Sequence, residues 1–492
     1  MTEYILAIDQ GTTGTRAIIL DKSLGVVGKG YSEFAQIFPK PGWVEHDPEE
    51  IWRCTQRVIK QALSGTNIDP SHIAAIGITN QRETSVIWDR KTLKPAHNAI
   101  VWQCRRTSEM CQEMKKQGLE KIFQQKSGLL LDPYFSGTKI RWLLDNVAGL
   151  REKAKAGTVA FGTIDTFLVN RLTGGKAHVT DVSNASRTLL MSLKDLEWDD
   201  ELLALLTVPR AILPTIASSS EVYGKTSGME ALPDGIPIAG IAGDQQAALF
   251  GQACYEVGTG KITYGTGCFA LVNTGPEPVP SHHRLLTTVA WKIKGKTTYA
   301  LEGSAFISGA AVQWLRDGLG IIKTSAEIEG LAQSVDDTGG VVFVPALTGL
   351  GAPYWNAEAR GMIRGINRGT TKAHIARATL EGIALQNYEL LEAMREDIGH
   401  DITLLKVDGG ASEDNLLMQM QADVLGLDVV RPTMIETTAL GAGLLAGLAV
   451  GVWKDEKEIE AFWKEDRRFK PKMQHDEAHV LIQRWKEAIS KI

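Results

Sequence analysis

The sequence predicts an α/β protein of two domains with a cleft between them, the second half repeating the plan of the first. Three observations lead there. The chain has 492 residues, more than a single hydrophobic core usually serves. Apolar runs of strand length alternate with helical spacings, the grammar of βαβ units. Finally, the order strand, Gly/Thr-rich turn, strand occurs once near the start and again just past the middle, as a diverged duplication would leave it.

Residues 5–8 form an apolar run, Asp9-Gln10-Gly11-Thr12-Thr13-Gly14-Thr15 a turn, and residues 17–20 a second run. Two short strands around a glycine-bearing turn read as a hairpin, not as a strand-to-helix loop. Ile51, Trp52, Thr55, Val58, Ile59, Ala62 and Leu63 recur at helical spacing, and residues 73–78 follow as a buried strand, which suggests a crossover connection. Residues 261–264, the turn Gly265-Thr266-Gly267 and residues 269–272 repeat the hairpin. A helix from about residue 373 to 396 precedes a strand at 403–407, which ends in Asp408-Gly409-Gly410 before another helix near Leu416. The break falls near residues 250–258, giving expected domains of 1–250 and 251–492. The apolar stretch 437–453 is marginally short for a membrane span. Its Gly441, Gly443, Gly447 and Gly451 suit close helix packing instead.

Composition narrows the partners. A formal net charge of -5 and a pI near 6.1 leave no basic field for nucleic acid or an anionic membrane surface. Small molecules are the expected ligands. Cys54, Cys104, Cys111, Cys254 and Cys268 show no Cys-x-x-Cys pair and no histidines at zinc spacing. With no basic leader or cleavage site at the start, a reducing cytoplasm is expected. His282 and His283 lack metal-binding companions and receive no role.

Two Gly/Thr turns, one per half, can present amides and hydroxyls to one anion across a cleft. A single such turn is more often only a tight hairpin, and the pairing reverses those odds. Gly224-Lys225-Thr226 resembles the end of a phosphate-binding loop, but the glycine required five residues earlier is Ser219, so an ordinary turn is expected. Asp9 and Asp244 end apolar strands, where α/β folds place their sites. One could bind magnesium and the other abstract a proton, although an isolated aspartate there often just caps a turn. Asn80-Gln81-Arg82-Glu83 can position hydroxyls or form a surface salt bridge. Trp102, Tyr134 and Phe269 can wall a carbon chain or lie in the core.

Taken together, residues 9–16, 80–83, 243–246, 264–269 and 408–415 closely resemble the glycerol kinases of the FGGY carbohydrate kinase family. So do Tyr134-Phe135-Ser136-Gly137-Thr138-Lys139-Ile140-Arg141-Trp142 and the segment 361–381. The resemblance implies a duplicated RNase H-like fold of the actin, Hsp70 and hexokinase type closing on ATP and a polyol. It places phosphate contacts on Gly11, Thr12, Thr13, Gly14 and Arg16, and on Gly265, Thr266 and Gly267. Adenosine contacts fall on Gly309, Gln313, Gly410, Ala411 and Asp414. Glycerol contacts fall on Arg82, Glu83, Tyr134, Asp244 and Gln245, with Trp102 and Phe269 as the apolar side. Asp244 becomes the base, and Mg²⁺ sits near Asp9 and Asp244. The implied reaction is ATP-dependent phosphorylation of glycerol to sn-glycerol 3-phosphate in glycerol catabolism, by a homo-oligomer, dimer or tetramer.

Three departures stand out. Gly14 occupies a position where many relatives carry serine, and Asp414 one where bacterial relatives commonly carry asparagine, which bears on nucleotide preference. Met229-Glu230-Ala231-Leu232-Pro233-Asp234-Gly235 replaces a loop through which some relatives bind fructose 1,6-bisphosphate, so no such regulation is expected there. The rival readings are an FGGY kinase of a pentulose or gluconate, and an actin- or Hsp70-like ATPase with no small-molecule acceptor.

Overall fold

The computed structural model describes residues 3–356 and 358–492. Its centre is a mixed sheet of thirteen strands. In the first half the sheet runs Val26–Glu33, Gly14–Leu20, Tyr4–Gln10, Ile73–Asn80, Pro237–Gly243. In the second it runs Lys296–Ala305, Cys268–Gly275, Thr259–Tyr264, Leu404–Asp408, Val429–Pro432. Counting only these strands, both halves read third, second, first, fourth, fifth. The first three pair antiparallel and the first, fourth and fifth pair parallel. This is the duplicated two-domain architecture that the repeated hairpins predicted. Ser220–Lys225 and Leu286–Ile293 stitch the halves together through a single pairing of Ser220 with Ile293.

Local chemistry explains the elements. Tyr4–Gln10 is buried from Ile5 through Ile8 because strands flanked by helices are covered on both faces. The helix Pro48–Ser64 starts where Asp47 accepts the Glu49 amide and proline fills the first helical position. Its buried stripe is Ile51, Cys54, Thr55, Val58, Ile59 and Ala62; Cys54 joins the residues read from the sequence, whereas Trp52 and Leu63 are only half-buried.

Each half follows its fifth strand with a helix, Asp244–Gly251 in the first and Thr437–Val450 in the second. These two helices cross at their glycines. A Cβ on Gly441 would lie 1.9 Å from the Ala247 carbonyl oxygen, and one on Gly251 would lie 2.1 Å from that of Thr437. The second helix also lies on the first half's sheet, where Cβ atoms on Gly77 and Gly240 would meet the Ala442 carbonyl at 2.1 and 2.6 Å. The stretch 437–453 is therefore a packing element. Among the described residues no helix is long and apolar enough to cross a membrane.

One expectation fails. Gly224 and Lys225 are not in a turn but end the strand Ser220–Lys225, paired with Ile238 and Pro237. The glycine is needed there because a Cβ would sit 2.9 Å from the Thr173 side chain.

Candidate active site

Both Gly/Thr turns are tight, and one lies in each half. In the first, the Gly11 amide donates to the Gly14 carbonyl at 2.9 Å, and the Gln81 amide donates to the Gln10 carbonyl at 2.7 Å. Gln36 Nε2 donates to the Thr12 carbonyl at 3.0 Å, which holds the turn from its other side. Strand register sets Asp9 opposite Arg16, and Arg16 opposite Tyr31. Gly14, two residues before Arg16, shares that face. The Tyr31 ring occupies the space above Gly14, where a Cβ would lie 2.7 Å from the Tyr31 hydroxyl. Arg16 pairs with Glu436 of the other half.

In the second turn, the Gly265 amide donates to the Gly267 carbonyl at 2.9 Å. The Ser308 and Gly309 amides return to the Thr266 and Gly265 carbonyls at 2.8 and 3.0 Å. Gly309 thus opens the helix Gly309–Asp317 directly against the turn. Gln313 lies one turn along that helix and is exposed. The Ala305 and Phe306 backbone crowds Gly267, whose Cβ would lie 2.5 Å from the Ala305 carbonyl oxygen and 2.8 Å from that of Phe306.

Gly409 adopts φ 84° and backs onto Tyr264, whereas nothing lies within 4 Å of where a Gly410 Cβ would be. Gly410 therefore offers bare backbone at the end of a parallel strand, while the half-buried Ala411 beside it packs on the core. Asp414 caps the helix Asn415–Leu425 through Oδ1, which accepts the Leu417 amide at 2.9 Å. Its Oδ2 is buried without a partner, and burial pushes the carboxyl up to about 6. One oxygen is thus left for a ligand.

The polyol-directed residues converge. Arg82 Nε lies 3.2 Å from Asp244 Oδ1, and Arg82 Nη2 donates to the Tyr134 hydroxyl at 3.3 Å. Trp102 donates through Nε1 to the Thr12 hydroxyl at 2.9 Å, so the aromatic group is tied to the first Gly/Thr turn. Its ring lies 5.5 Å from Tyr134 and 6.4 Å from Phe269 between centroids. Glu83 takes φ 60°, a costly backbone conformation for a non-glycine residue and one that clusters at functional sites. Asp244, at the start of its helix, keeps 30% of its side chain exposed. Burial raises its carboxyl above the usual range, while Arg82 and then Lys261 draw it back.

Several residues around this cluster were not found from the sequence. Lys261 donates to Gln245 Oε1 and to Thr263 Oγ1, the latter at 2.8 Å. Burial lowers its ammonium to about 8 against the pull of Asp408 and Asp244. Arg187 and Glu302 hold Glu83 and Arg82. No local pattern marks these three, since each lies inside an ordinary strand or turn and gains meaning only from its distant partner.

Among the described residues no group of three or more His, Cys, Asp or Glu could hold a metal alone. Mg²⁺ usually keeps water and takes one or two carboxylates plus substrate phosphates. Asp9 and Asp244 are two carboxylates of the kind such a set needs. Burial, opposed by Arg16 and reinforced by repulsion from Asp244, holds the Asp9 carboxyl up at about 6. A divalent cation would relieve that repulsion, so the residues present fit such an ion.

Comparison with known proteins agrees with this geometry. The N-terminal domain of the FGGY family of carbohydrate kinases matches residues 4–251, and its C-terminal domain matches residues 260–450. The chain is 60% identical over 491 residues to a glycerol kinase of Myxococcus xanthus, covering 99% of both. It is 58% identical to glycerol kinase 2 of Thermotoga maritima, covering 99% of this chain and 98% of the relative. The solved structure of Plasmodium falciparum glycerol kinase with ADP superposes with a TM-score of 0.94 at 37% identity, covering 100% of this chain and 98% of that one. With a Gly/Thr turn in each half, aspartates at strand ends and a full-length match of this kind, the chain belongs to the FGGY family of carbohydrate kinases.

Proposed function

We infer that this protein transfers the γ-phosphoryl group of ATP to a terminal hydroxyl of glycerol, giving sn-glycerol 3-phosphate and ADP. The observation that carries the reading is the convergence of Arg82, Glu83, Tyr134 and Asp244 under the Trp102–Phe269 wall, within reach of the first phosphate turn. A three-carbon polyol suits such a pocket, with polar groups on one side for its hydroxyls and rings on the other for its carbons.

Each residue's part follows from its surroundings. The amides of the Gly11–Gly14 and Gly265–Gly267 turns hold the β- and γ-phosphates, with Thr12, Thr13, Thr266 and Arg16 adding donors. Gly309, Gln313, Gly410, Ala411 and Asp414 receive the adenosine. Arg82 turns to the acceptor's hydroxyls the Nε and Nη2 edge that faces Asp244 and Tyr134, exchanging those two partners for them, and Glu83 and Gln245 fix their orientation. Asp244 takes the proton from the attacking hydroxyl, a task helped by the raised basicity that burial gives its carboxylate. Asp9 and Asp244 would hold Mg²⁺, which would supply charge neutralisation on the phosphates. Closing the cleft excludes water as a competing acceptor.

The first half, 1–250, carries the polyol and the base, and the second, 251–492, the adenosine. We place the enzyme in the cytoplasm as a homo-oligomer, a dimer or tetramer. No regulation by fructose 1,6-bisphosphate is expected through residues 229–235. That loop closes on itself, with the Gly228 amide on Asp234 at 2.7 Å and Leu232 buried, and it holds no arginine or lysine.

The test is ADP release with Mg-ATP against glycerol, dihydroxyacetone, xylulose, ribulose and gluconate. Glycerol should support turnover, and Asp244→Asn should lower kcat by about 10²- to 10⁴-fold. A preferred larger sugar would reject the acceptor assignment, and acceptor-independent ATP cleavage would reject the kinase reading. Millimolar fructose 1,6-bisphosphate should leave the rate unchanged.

A further inference from the structure

Arg82 and Glu83 are adjacent in sequence and opposite in charge, and left to themselves they would neutralise one another. Their nearest mutual approach is 3.9 Å, between Arg82 Nε and Glu83 Oε1. Each instead has a closer partner elsewhere. Glu302 clasps Arg82 with both oxygens, Oε2 on Nη1 and Oε1 on Nη2, the latter at 2.9 Å. Arg187 donates from Nε to Glu83 Oε1 at 2.7 Å and from Nη2 to Glu302 Oε1 at 2.9 Å. The quartet holds two charges of each sign, all with side chains no more than 2% exposed. Arg187 is further fixed by lying over the Tyr134 and Phe135 rings, at 5.5 and 5.3 Å from their centroids.

The donors of Arg82 are fully assigned. Nε faces Asp244 at 3.2 Å, Nη1 serves Glu302 and Gln246, and Nη2 serves Glu302 and the Tyr134 hydroxyl. A two-pronged clasp by a carboxylate fixes the plane of a guanidinium as well as its position. Buried ion pairs are often no more stabilising than well-packed apolar residues of the same volume, so stability alone does not explain the quartet. Orientation does, because the edge of Arg82 left toward the cleft is the edge that faces Asp244 and Tyr134.

We propose that Arg187 and Glu302 are positioning residues for the acceptor, holding Arg82 and Glu83 apart and correctly turned. Glu302 lies on Lys296–Ala305 in the second half, so the shape of the polyol pocket depends on both halves of the chain. This rests on the reading of Arg82 and Glu83 as polyol contacts.

The test compares Glu302→Asp, Glu302→Gln and the charge-balanced double variant Arg187→Gln with Glu302→Gln, in the full-length enzyme. Steady-state kinetics give separate KM values for the acceptor that the parent uses and for ATP. We expect Glu302→Gln to raise the acceptor KM by about tenfold or more while the ATP KM stays within about twofold. Glu302→Asp, which keeps the charge, should recover part of the loss. An acceptor KM that does not move, or acceptor and ATP KM values that rise together, would overturn the proposal. So would loss of folded structure by circular dichroism in all three variants, since the quartet would then be only a structural support. Failure of the parent to use any polyol would instead reject the proposed function.

Discussion

Gly441→Ala adds one methyl group at the crossing of the two interdomain helices, and its effect follows from distances. The new Cβ would lie 1.9 Å from the Ala247 carbonyl oxygen, 2.6 Å from its carbonyl carbon and 3.1 Å from its Cα. All three are backbone atoms of the neighbouring helix, so no side chain can swing away. Against an ordinary contact of 3.4 Å, the helices must part by about 1.5 Å, an overpacking that typically costs about 1–3 kcal/mol. The helix Thr437–Val450 is also packed against the sheet at Gly77 and Gly240, which leaves much of the movement to Asp244–Gly251. That helix begins with the proposed base. A displacement of about 1 Å at reacting groups can cost about 10²-fold in rate. We therefore expect Gly441→Ala to lower kcat by about 10- to 100-fold in an ADP-release assay and to lower the guanidinium midpoint. Gly330→Ala is the control, because nothing lies within 4 Å of its Cβ and alanine favours the helix Glu327–Gln333 by about 1 kcal/mol. A Gly441→Ala protein with unchanged kcat and midpoint would refute the view that this crossing sets the position of Asp244.

Two other perturbations read different parts of the structure. Asp165 is fully buried; burial is the main cause that raises its carboxyl from 3.8 to about 7, against a hydrogen bond from Thr163 and with added repulsion from Asp181. A carboxyl raised on folding stabilises the protein fully below its unfolded value and loses that contribution as pH climbs through the folded one. Between pH 4 and 7 the stability of the parent should therefore fall relative to Asp165→Asn, by up to about 1.4 kcal/mol per pH unit; parallel denaturant midpoints across that range would disprove it. Gly14→Ser places its Cβ 2.7 Å from the hydroxyl of Tyr31, a residue 48% exposed and held only by a 3.4 Å contact to Glu33 and the Arg16 guanidinium over its ring. Stability should change by less than about 1 kcal/mol, and a cycle with Tyr31→Ala should show coupling in the ATP KM of about 0.5 kcal/mol or more, with zero coupling ruling out the contact.

Much of this site was legible because its signals are local. The turns at 11–14 and 265–267 carry glycines where backbone approaches backbone, as at Gly11 against Gly14 and Gly267 against Ala305. Asp9 and Asp244 stand where apolar strands stop. Strand-length and helix-length periods gave the helix at Pro48–Ser64 and the strand at Ile73–Asn80 to within a few residues. Gly224-Lys225-Thr226 misled for the same reason, since a glycine beside polar residues marks a turn and a strand end alike.

The sequence by itself determined the repeated hairpins, the α/β class, the strand-end carboxylates and, through its resemblance, the family. Only the tertiary structure decided which charges meet. Glu302 lies 220 positions from Arg82, and Arg187 lies 104 from Glu83, separations at which no spacing rule operates. Such pairs exist because strand order brings distant segments to one sheet. Once buried there, a charge must find a partner of opposite sign or remain in water. The same holds for Lys261 beside Gln245 and for Gly441 against Ala247, contacts fixed by how two halves of one chain close on each other.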